Sequence, residues 1–401
     1  MAMGRYLLLN RQMKQFGRSG WVLSRHLLRL GSLFCVLMMA VGCSKLRPKP
    51  PVTWVYVIAK QTFLRDRVAA VSNRTATVTN GDKLQVLDHG RRFIKVQTTK
   101  GELGWIDEKA VATEQVYGLF AALGEQHKND PSAASAVVQD EVYLHARPGL
   151  DTERFFLLQE GAKLQMLQRA TLPKPLPPGT KPAKAAPAAP GKAAVPAPPV
   201  VMQDWWLVRD AQGHTGWILG SSRLIAVDAP DAITRYAEGQ RIVGAYVLTT
   251  VHDEEAEQAD KDIPIYVAVM SPYKAGLPYD FDQVRVFTWN LKKHRYETGF
   301  RDKNIEGYLP VTIKVEKDPY GKSVAAQVPA PTFSYNVLAA EAPEVVPDPV
   351  TGAVVPARTV VKTYRLEGNL VRRILQPGTP ASMEAHPAPP EKKAVAVKKK
   401  R

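Results

Sequence analysis

From residue 52 onward the apolar positions alternate far more often than they recur at helical spacing. Leu84 and Val86, then Ile94 and Val96, then Trp105 stand in short runs separated by the glycine turns Asn80-Gly81-Asp82 and Lys100-Gly101. Side chains of a strand point alternately to its two faces, so this pattern predicts hairpins with one buried face. The reading extends over 232–376, where Ile263–Met270, Gln283–Trp289, Leu309–Val315 and Thr359–Leu366 read as strands and a Gly368-Asn369 turn leads into Leu370–Leu375. Connections as tight as Asn290-Leu291-Lys292-Lys293 imply an antiparallel sheet rather than an α/β unit. The Pro-rich stretch Pro343–Pro356 is expected as a long loop before the last hairpin. One segment departs from alternation. Thr113–Asn129 carries Val116, Leu119, Phe120 and Leu123 at i, i+3, i+4 and i+7, with Thr113 as N-cap and Pro131 as stop. Its apolar stripe is expected to pack on the neighbouring strands.

The strands repeat. Gly81-Asp82-Lys83-Leu84-Gln85-Val86-Leu87 aligns with Gly161-Ala162-Lys163-Leu164-Gln165-Met166-Leu167, an offset of 80. Phe93-Ile94-Lys95-Val96 aligns with Trp205-Trp206-Leu207-Val208, and Gly101-Glu102-Leu103-Gly104-Trp105-Ile106 with Gly213-His214-Thr215-Gly216-Trp217-Ile218, both offset by 112. The difference, 32, is an insertion in the second copy. Leu64-Arg65-Asp66 and Leu144-His145-Ala146 each stand 17 residues before the glycine that opens the first aligned block, so the register holds on both sides of the insertion.

Each copy resembles a bacterial SH3-like domain, through its Gly-Asp/Ala-Lys strand start, its Trp-x-x-Val strand and its closing Gly-Trp-Ile. The second copy also keeps Leu144-His145-Ala146-Arg147-Pro148-Gly149, close to the family's Leu-Asn-Val-Arg-x-Gly opening. The first has Leu64-Arg65-Asp66-Arg67-Val68 there, and Phe93 in place of the tryptophan. The resemblance covers 52–113 and 136–228, and it implies binding rather than catalysis: attachment to peptidoglycan, or assembly with envelope proteins. Trp205, Trp206, His145 and Arg147 are then the ligand-binding candidates, since an aromatic platform beside polar donors suits a muropeptide or glycan. Period two puts the Trp205 and Trp206 rings on opposite faces, so one of them is expected to be exposed. Trp105 and Trp217 are expected in the cores, because a barrel of about 60 residues needs large aromatics to bury enough area.

The N-terminus carries an address. Leu30–Cys43 holds no charged residue and follows Lys14, Arg18, Arg25 and Arg29, giving a basic region and then a short apolar one. A membrane-spanning helix needs about 20 apolar residues, and Pro48, Pro50 and Pro51 prevent extension. The segment therefore reads as an export signal, with Met13 as an alternative start. Ala40-Val41-Gly42-Cys43 resembles a bacterial lipobox, which implies acylation of Cys43 as the new N-terminus; Ser44 in the next position implies the outer membrane. An ordinary cleaved signal followed by a structural cysteine is the plainer alternative.

Charge and composition refine this picture. Loss of residues 1–42 removes Arg5, Arg11, Lys14, Arg18, Arg25 and Arg29 and takes the net charge from +16 to +10. Six more basic residues, Lys392, Lys393, Lys398, Lys399, Lys400 and Arg401, form a tail behind Pro387, Pro389 and Pro390. Such a tail would suit nucleic acid on a cytosolic protein; behind an export signal it reads as a solvated, disordered end, and no nucleic-acid partner is expected. The insertion Leu172–Val200 is almost wholly Pro, Ala and Lys, so it is expected as an extended loop out of the second barrel.

Candidate chemistry is sparse. His252-Asp253-Glu254-Glu255 with Glu257, Asp260 and Asp262 lacks calcium-loop spacing and reads as a solvated acidic loop. His294 has no nucleophile beside it in sequence, and no G-x-S-x-G, H-E-x-x-H or P-loop occurs. The chain has 2 Cys, and Cys35 leaves with the signal, so the mature body beyond Cys43 lacks a cysteine nucleophile. The expectation is an all-β protein: two small SH3-like barrels joined by a short helix, then an antiparallel β domain. Its segments are a signal peptide (1–42), a tether (43–51), barrel one (52–113), a linker helix (114–135), barrel two (136–228, with its Pro/Ala/Lys-rich loop at 171–202), a β-rich domain (232–376) and the basic tail (377–401). The expected role is non-catalytic, with no cofactor or metal: a lipid-anchored outer-membrane protein facing the periplasm that binds peptidoglycan or envelope proteins. An assembly scaffold, and an envelope hydrolase with its site in 232–376, are the alternatives.

Overall fold

Alternation in the sequence becomes three antiparallel sheets of seven strands each. The computed structural model describes residues 52–69, 71–176, 200–259 and 261–380. The segments expected as export signal and tether, with Cys43, most of the insertion and nearly all of the tail, lie outside the described residues. An all-β fold is what the strands form.

The first module holds β1 (Trp54–Val57), β2 (Gln61–Arg65), β3 (Arg74–Thr79), β4 (Lys83–His89), β5 (Phe93–Thr98), β6 (Leu103–Asp107) and β7 (Val111–Thr113). Helix α1 (Glu114–Gln126) follows. The second module holds β8 (Ala134–Val138), β9 (Val142–His145), β10 (Arg154–Leu158), β11 (Lys163–Pro173), β12 (Met202–Asp210), β13 (Thr215–Leu219) and β14 (Ile225–Val227). Strand order is β3-β2-β6-β5-β4-β1-β7 in one and β10-β9-β13-β12-β11-β8-β14 in the other, the same arrangement strand for strand. Even the irregularities repeat: the β4–β5 ladder slips between Val86 and Asp88, and the β11–β12 ladder between Met166 and Gln168. Gly81 and Gly161 (φ 91 and 79), like Gly101 and Gly213 (both φ 88), occupy the left-handed region that their hairpin turns require.

Helix α1 starts where its cap residue dictates, with the Thr113 hydroxyl accepting from the Val116 N–H. It ends at Gln126, short of the expected 135 and of Pro131. Phe120 is buried, whereas Leu119 is exposed, so the packed stripe is narrower than its spacing implies. Tyr117 stacks on Tyr56 of the first module at 4.0 Å and meets Phe155 of the second edge-on at 5.7 Å. The helix is thus a wedge whose aromatic rings join both modules into one core. Full burial of a side chain such as Phe120 or Phe155 contributes about 1.5–3 kcal/mol. Asn80 reinforces the joint, donating to the Phe155 carbonyl (2.9 Å) and accepting from the Leu157 N–H (3.0 Å).

After the short helix α2 (Asp231–Thr234) the third sheet is a meander of β15 (Arg241–His252), β16 (Asp262–Ser271), β17 (Phe281–Asn290), β18 (Arg295–Glu316), β19 (Ala330–Leu338), β20 (Thr359–Glu367) and β21 (Leu370–Ile374). The one-turn helix α3 (Val324–Gln327) lies between β18 and β19. β18, 22 residues long, pairs with β17 through its first part and with β19 through its last. One strand therefore serves both halves, and the sheet curls around a core built from both, including Val267 and Val286 from one half and Phe333 and Tyr335 from the other. β15, the first part of β18, and β19 carry no clean alternation and are absent from the sequence expectation. The Pro-rich segment before β20 is a loop whose Ala353 bridges to Ala170 of the second module.

Candidate ligand-binding ledge

The two tryptophan candidates fall on opposite faces of β12. Trp206 points into the second module's core and is 5% exposed. Trp205, on the opposite face, is 1% exposed, which corrects the expectation that one of the pair meets solvent. Ala170, the ladder partner of Trp205, is bridged by Ala353, and Thr171 donates its N–H to the Gly352 carbonyl (2.7 Å). The loop before β20 thus lines the edge of β11 beside this hairpin. Period two predicts opposite faces correctly; it cannot tell that both faces are covered.

The Gly-Trp-Ile tryptophans require the converse correction. In β6 and β13 the inward positions belong to Gly104 and Ile106, and to Gly216 and Ile218, while Trp105 and Trp217 point outward and are half-buried. Trp217 stands directly opposite His145 across the β13–β9 ladder, so the two side chains share one face. Trp105 stands opposite Arg65 in the first module. Trp217 was missed as a candidate, although its neighbours Gly216 and Ile218, two residues apart, already define the inward face.

His145 is half-buried, with its ring edge-on to Trp205 at 5.4 Å and Nδ1 3.0 Å from the Thr152 hydroxyl. Burial, with the nearby Arg154 charge second, lowers its pKa below the ordinary value, so a neutral imidazole faces the ledge near neutrality. Thr152 also donates to the carbonyls of Arg147 (2.9 Å) and Gly149 (2.8 Å), which fixes the loop between β9 and β10. Arg147 projects from that loop, 69% exposed, and binds Glu153 through Nη2 (3.0 and 3.2 Å). Glu153 titrates below the ordinary carboxylate range, chiefly through a backbone N–H bond and then through Arg147. Tyr143, two residues before His145, lies under the Arg154 guanidinium at 4.9 Å. His145 thus shares one face with Trp217, Arg147 lies on the adjoining loop, Trp205 packs edge-on to His145 from a buried position, and Trp206 takes no part.

The first module offers a different surface. Its equivalent loop is closed by Asp66, which accepts from the Asn73 backbone (2.9 Å) and side-chain amides (3.0 Å), and Arg65 donates to Ser72 (2.9 Å). A Cβ on Gly90 would stand 3.2 Å from the Trp105 ring, so the β4–β5 turn lies against that tryptophan.

The acidic segment after β15 is more ordered than a solvated loop. Asp253 is buried, accepting from Trp289 Nε1 (2.6 Å) and lying 2.8 Å from His294 Nδ1. His294 Nε2 lies 3.0 Å from Glu255, and His252 sits between Asp262 (2.8 Å) and Glu254 (3.1 Å).

No family model and no curated protein matches the chain. Among solved structures, NlpC2 from Trichomonas vaginalis aligns at 10% identity over 48% of this chain and 56% of its own, with a TM-score of 0.14. NlpC1 from the same organism aligns at 7% identity over 63% and 89%, also with a TM-score of 0.14. At that TM-score neither likeness carries an argument. Among the described residues no helix is long and apolar enough to cross a membrane.

Proposed function

We propose that the protein is a non-catalytic envelope protein, anchored to the outer membrane by acylated Cys43 and facing the periplasm, whose SH3-like modules hold peptidoglycan or an envelope partner. The observation that carries the binding role is the ledge of the second module. Trp217 and His145 stand side by side on an outward face, with Arg147 on a loop that Thr152 fixes. An aromatic surface next to a neutral imidazole and a guanidinium suits a ring-bearing ligand with carboxylates or amide oxygens, which is wall chemistry. The identical strand order of the two modules supports the SH3-like reading, and the basic lead-in to Leu30–Cys43 supports export.

The test is retention of the full chain on purified sacculi. Trp217→Ala and Arg147→Glu are expected to release it, while Arg65→Glu in the first module leaves it bound. Retention unchanged by both ledge variants removes the ledge from the proposal, and no retention at all removes wall binding. Intact mass of membrane-extracted protein beside a Cys43→Ala control tests the anchor: loss of 1–42 with added acyl chains is expected only for the unaltered chain.

A further inference from the structure

A second concave surface lies away from the ledge, where the start of β12 and the strand β14 meet the segment before β15 and the β16–β17 loop. It is a cleft of about 800 Å3, within the roughly 300–1,000 Å3 typical of small-molecule sites. One buried donor on its wall lacks a partner. Arg241 gives Nη2 to Asp204 (3.1 Å), but its Nε is buried and unbonded. The indole of Trp206 also borders the cleft. Gly220 leaves that indole edge open, since a Cβ there would stand 3.2 Å from Nε1. A buried donor without an acceptor is costly unless something supplies one.

The rest of the cleft specifies the acceptor. Arg235 and Lys274 line it from exposed positions, and neither has an acidic partner among the described residues. Glu238, the exposed acid of the wall, is already held by Arg285 (2.7 Å) and Arg301 (3.0 Å). Gln203, Ser221 and Ser222 add groups that both give and accept hydrogen bonds, as sugar hydroxyls demand. Tyr273, 72% exposed at the rim, offers a ring face. The volume is too large for a lone inorganic anion.

We propose that this cleft binds an acidic saccharide of two to three rings, its carboxylate accepting from Trp206 Nε1 and Arg241 Nε and drawn in by Arg235 and Lys274. The site stands independently of the ledge and of the wall-binding reading. Calorimetric titration of the full chain with trigalacturonate tests it, with maltotriose and inorganic phosphate as the neutral and small-anion controls. One site is expected, weakened at least about tenfold by Trp206→Phe, which keeps the ring but removes the donor, and by the exposed pair Arg235→Glu/Lys274→Glu. Arg147→Glu on the ledge is expected to leave it unchanged. No heat at millimolar trigalacturonate, maltotriose or phosphate binding equally well, or unaltered affinity in the Arg235/Lys274 variant each overturns the proposal. The last of these variants is on the surface and keeps the test sound if Trp206→Phe fails to fold.

Discussion

Leu144 occupies the space that a side chain on Gly216 would need: a Cβ on that glycine would stand 2.7 Å from the Leu144 Cβ and 3.2 Å from the His145 carbonyl oxygen. Leu64 bears the same relation to Gly104 in the first module, at 2.6 Å. Both leucines are wholly buried. The glycine of the closing Gly-Trp-Ile is thus retained for inward packing, and it sets Trp105 and Trp217 on the outward face.

Gly216→Ala is therefore expected to destabilise the second module by about 1–3 kcal/mol, the usual cost of overpacking, and to shift Trp217 off the ledge. Urea unfolding followed by tryptophan emission measures the first effect. Gly118→Ala on α1, where a Cβ meets nothing within 4 Å, is the control expected to be neutral or stabilising. Equal behaviour of the two variants would sink the close-packing argument.

Much of this arrangement is legible in the sequence, because the repeat is local. The offsets of 80 and 112 mark equivalent strands, and the Thr113 cap marks where α1 begins. What escapes is whatever depends on distant coverage. Trp205 is buried although period two leaves its face open, and Ala170, its ladder partner, is bridged by Ala353, a relation that no periodicity carries. Asp253 reads as one more acid in a solvated run until Trp289 and His294, on the neighbouring hairpin, arrive to bury it. The cleft is likewise invisible, since Trp206, Gly220, Arg241 and Lys274 converge only after two domains dock.

Asn80 is the polar pin of the joint between the modules. Its amide donates to the Ile58 and Phe155 carbonyls (both 2.9 Å), and its carbonyl accepts from the Leu157 N–H. Asn80→Ala strands these partly buried backbone groups, at about 1–3 kcal/mol. Calorimetry is expected to broaden or split the unfolding transition as the modules uncouple, whereas a single transition with an unchanged midpoint would show that the aromatic wedge around Tyr117 suffices.

Asp204 performs the same task between the second module and the third sheet. Burial opposes its charge, but Arg169, the Thr171 hydroxyl and the Gly276 N–H outweigh that and hold its carboxyl below the ordinary range. Arg169 in turn binds Asp280 (2.7 Å) and the Leu277 and Tyr279 carbonyls (2.9 and 2.8 Å). Asp204→Ala leaves a buried guanidinium short of a partner and is expected to cost about 3–5 kcal/mol in denaturant unfolding. The double variant Asp204→Leu/Arg169→Met is expected to cost less than that single change. If it costs as much or more, the coupling between the two residues is not what holds the interface.

The segment after β15 is expected to respond to pH in a defined window. His252 is raised above the ordinary 6.5, first by Asp262 and then by Glu254, and His294 is raised chiefly by Asp253. Groups raised on folding contribute fully below 6.5 and lose their contribution as pH rises through the raised values. Asp253 acts in the opposite sense. Held below its ordinary 3.8 first by the Trp289 N–H, it contributes above that pH and ceases to as pH falls through its lowered value. Both contributions are therefore complete only between 3.8 and 6.5. Protection factors for the amides of Asp253, Ala256 and Lys261, which close this turn, are expected to be highest in that window and to decline on its alkaline side. The His252→Gln/His294→Gln variant should flatten the decline. Protection that stays level as the histidines deprotonate would mean that the backbone bonds alone hold the turn.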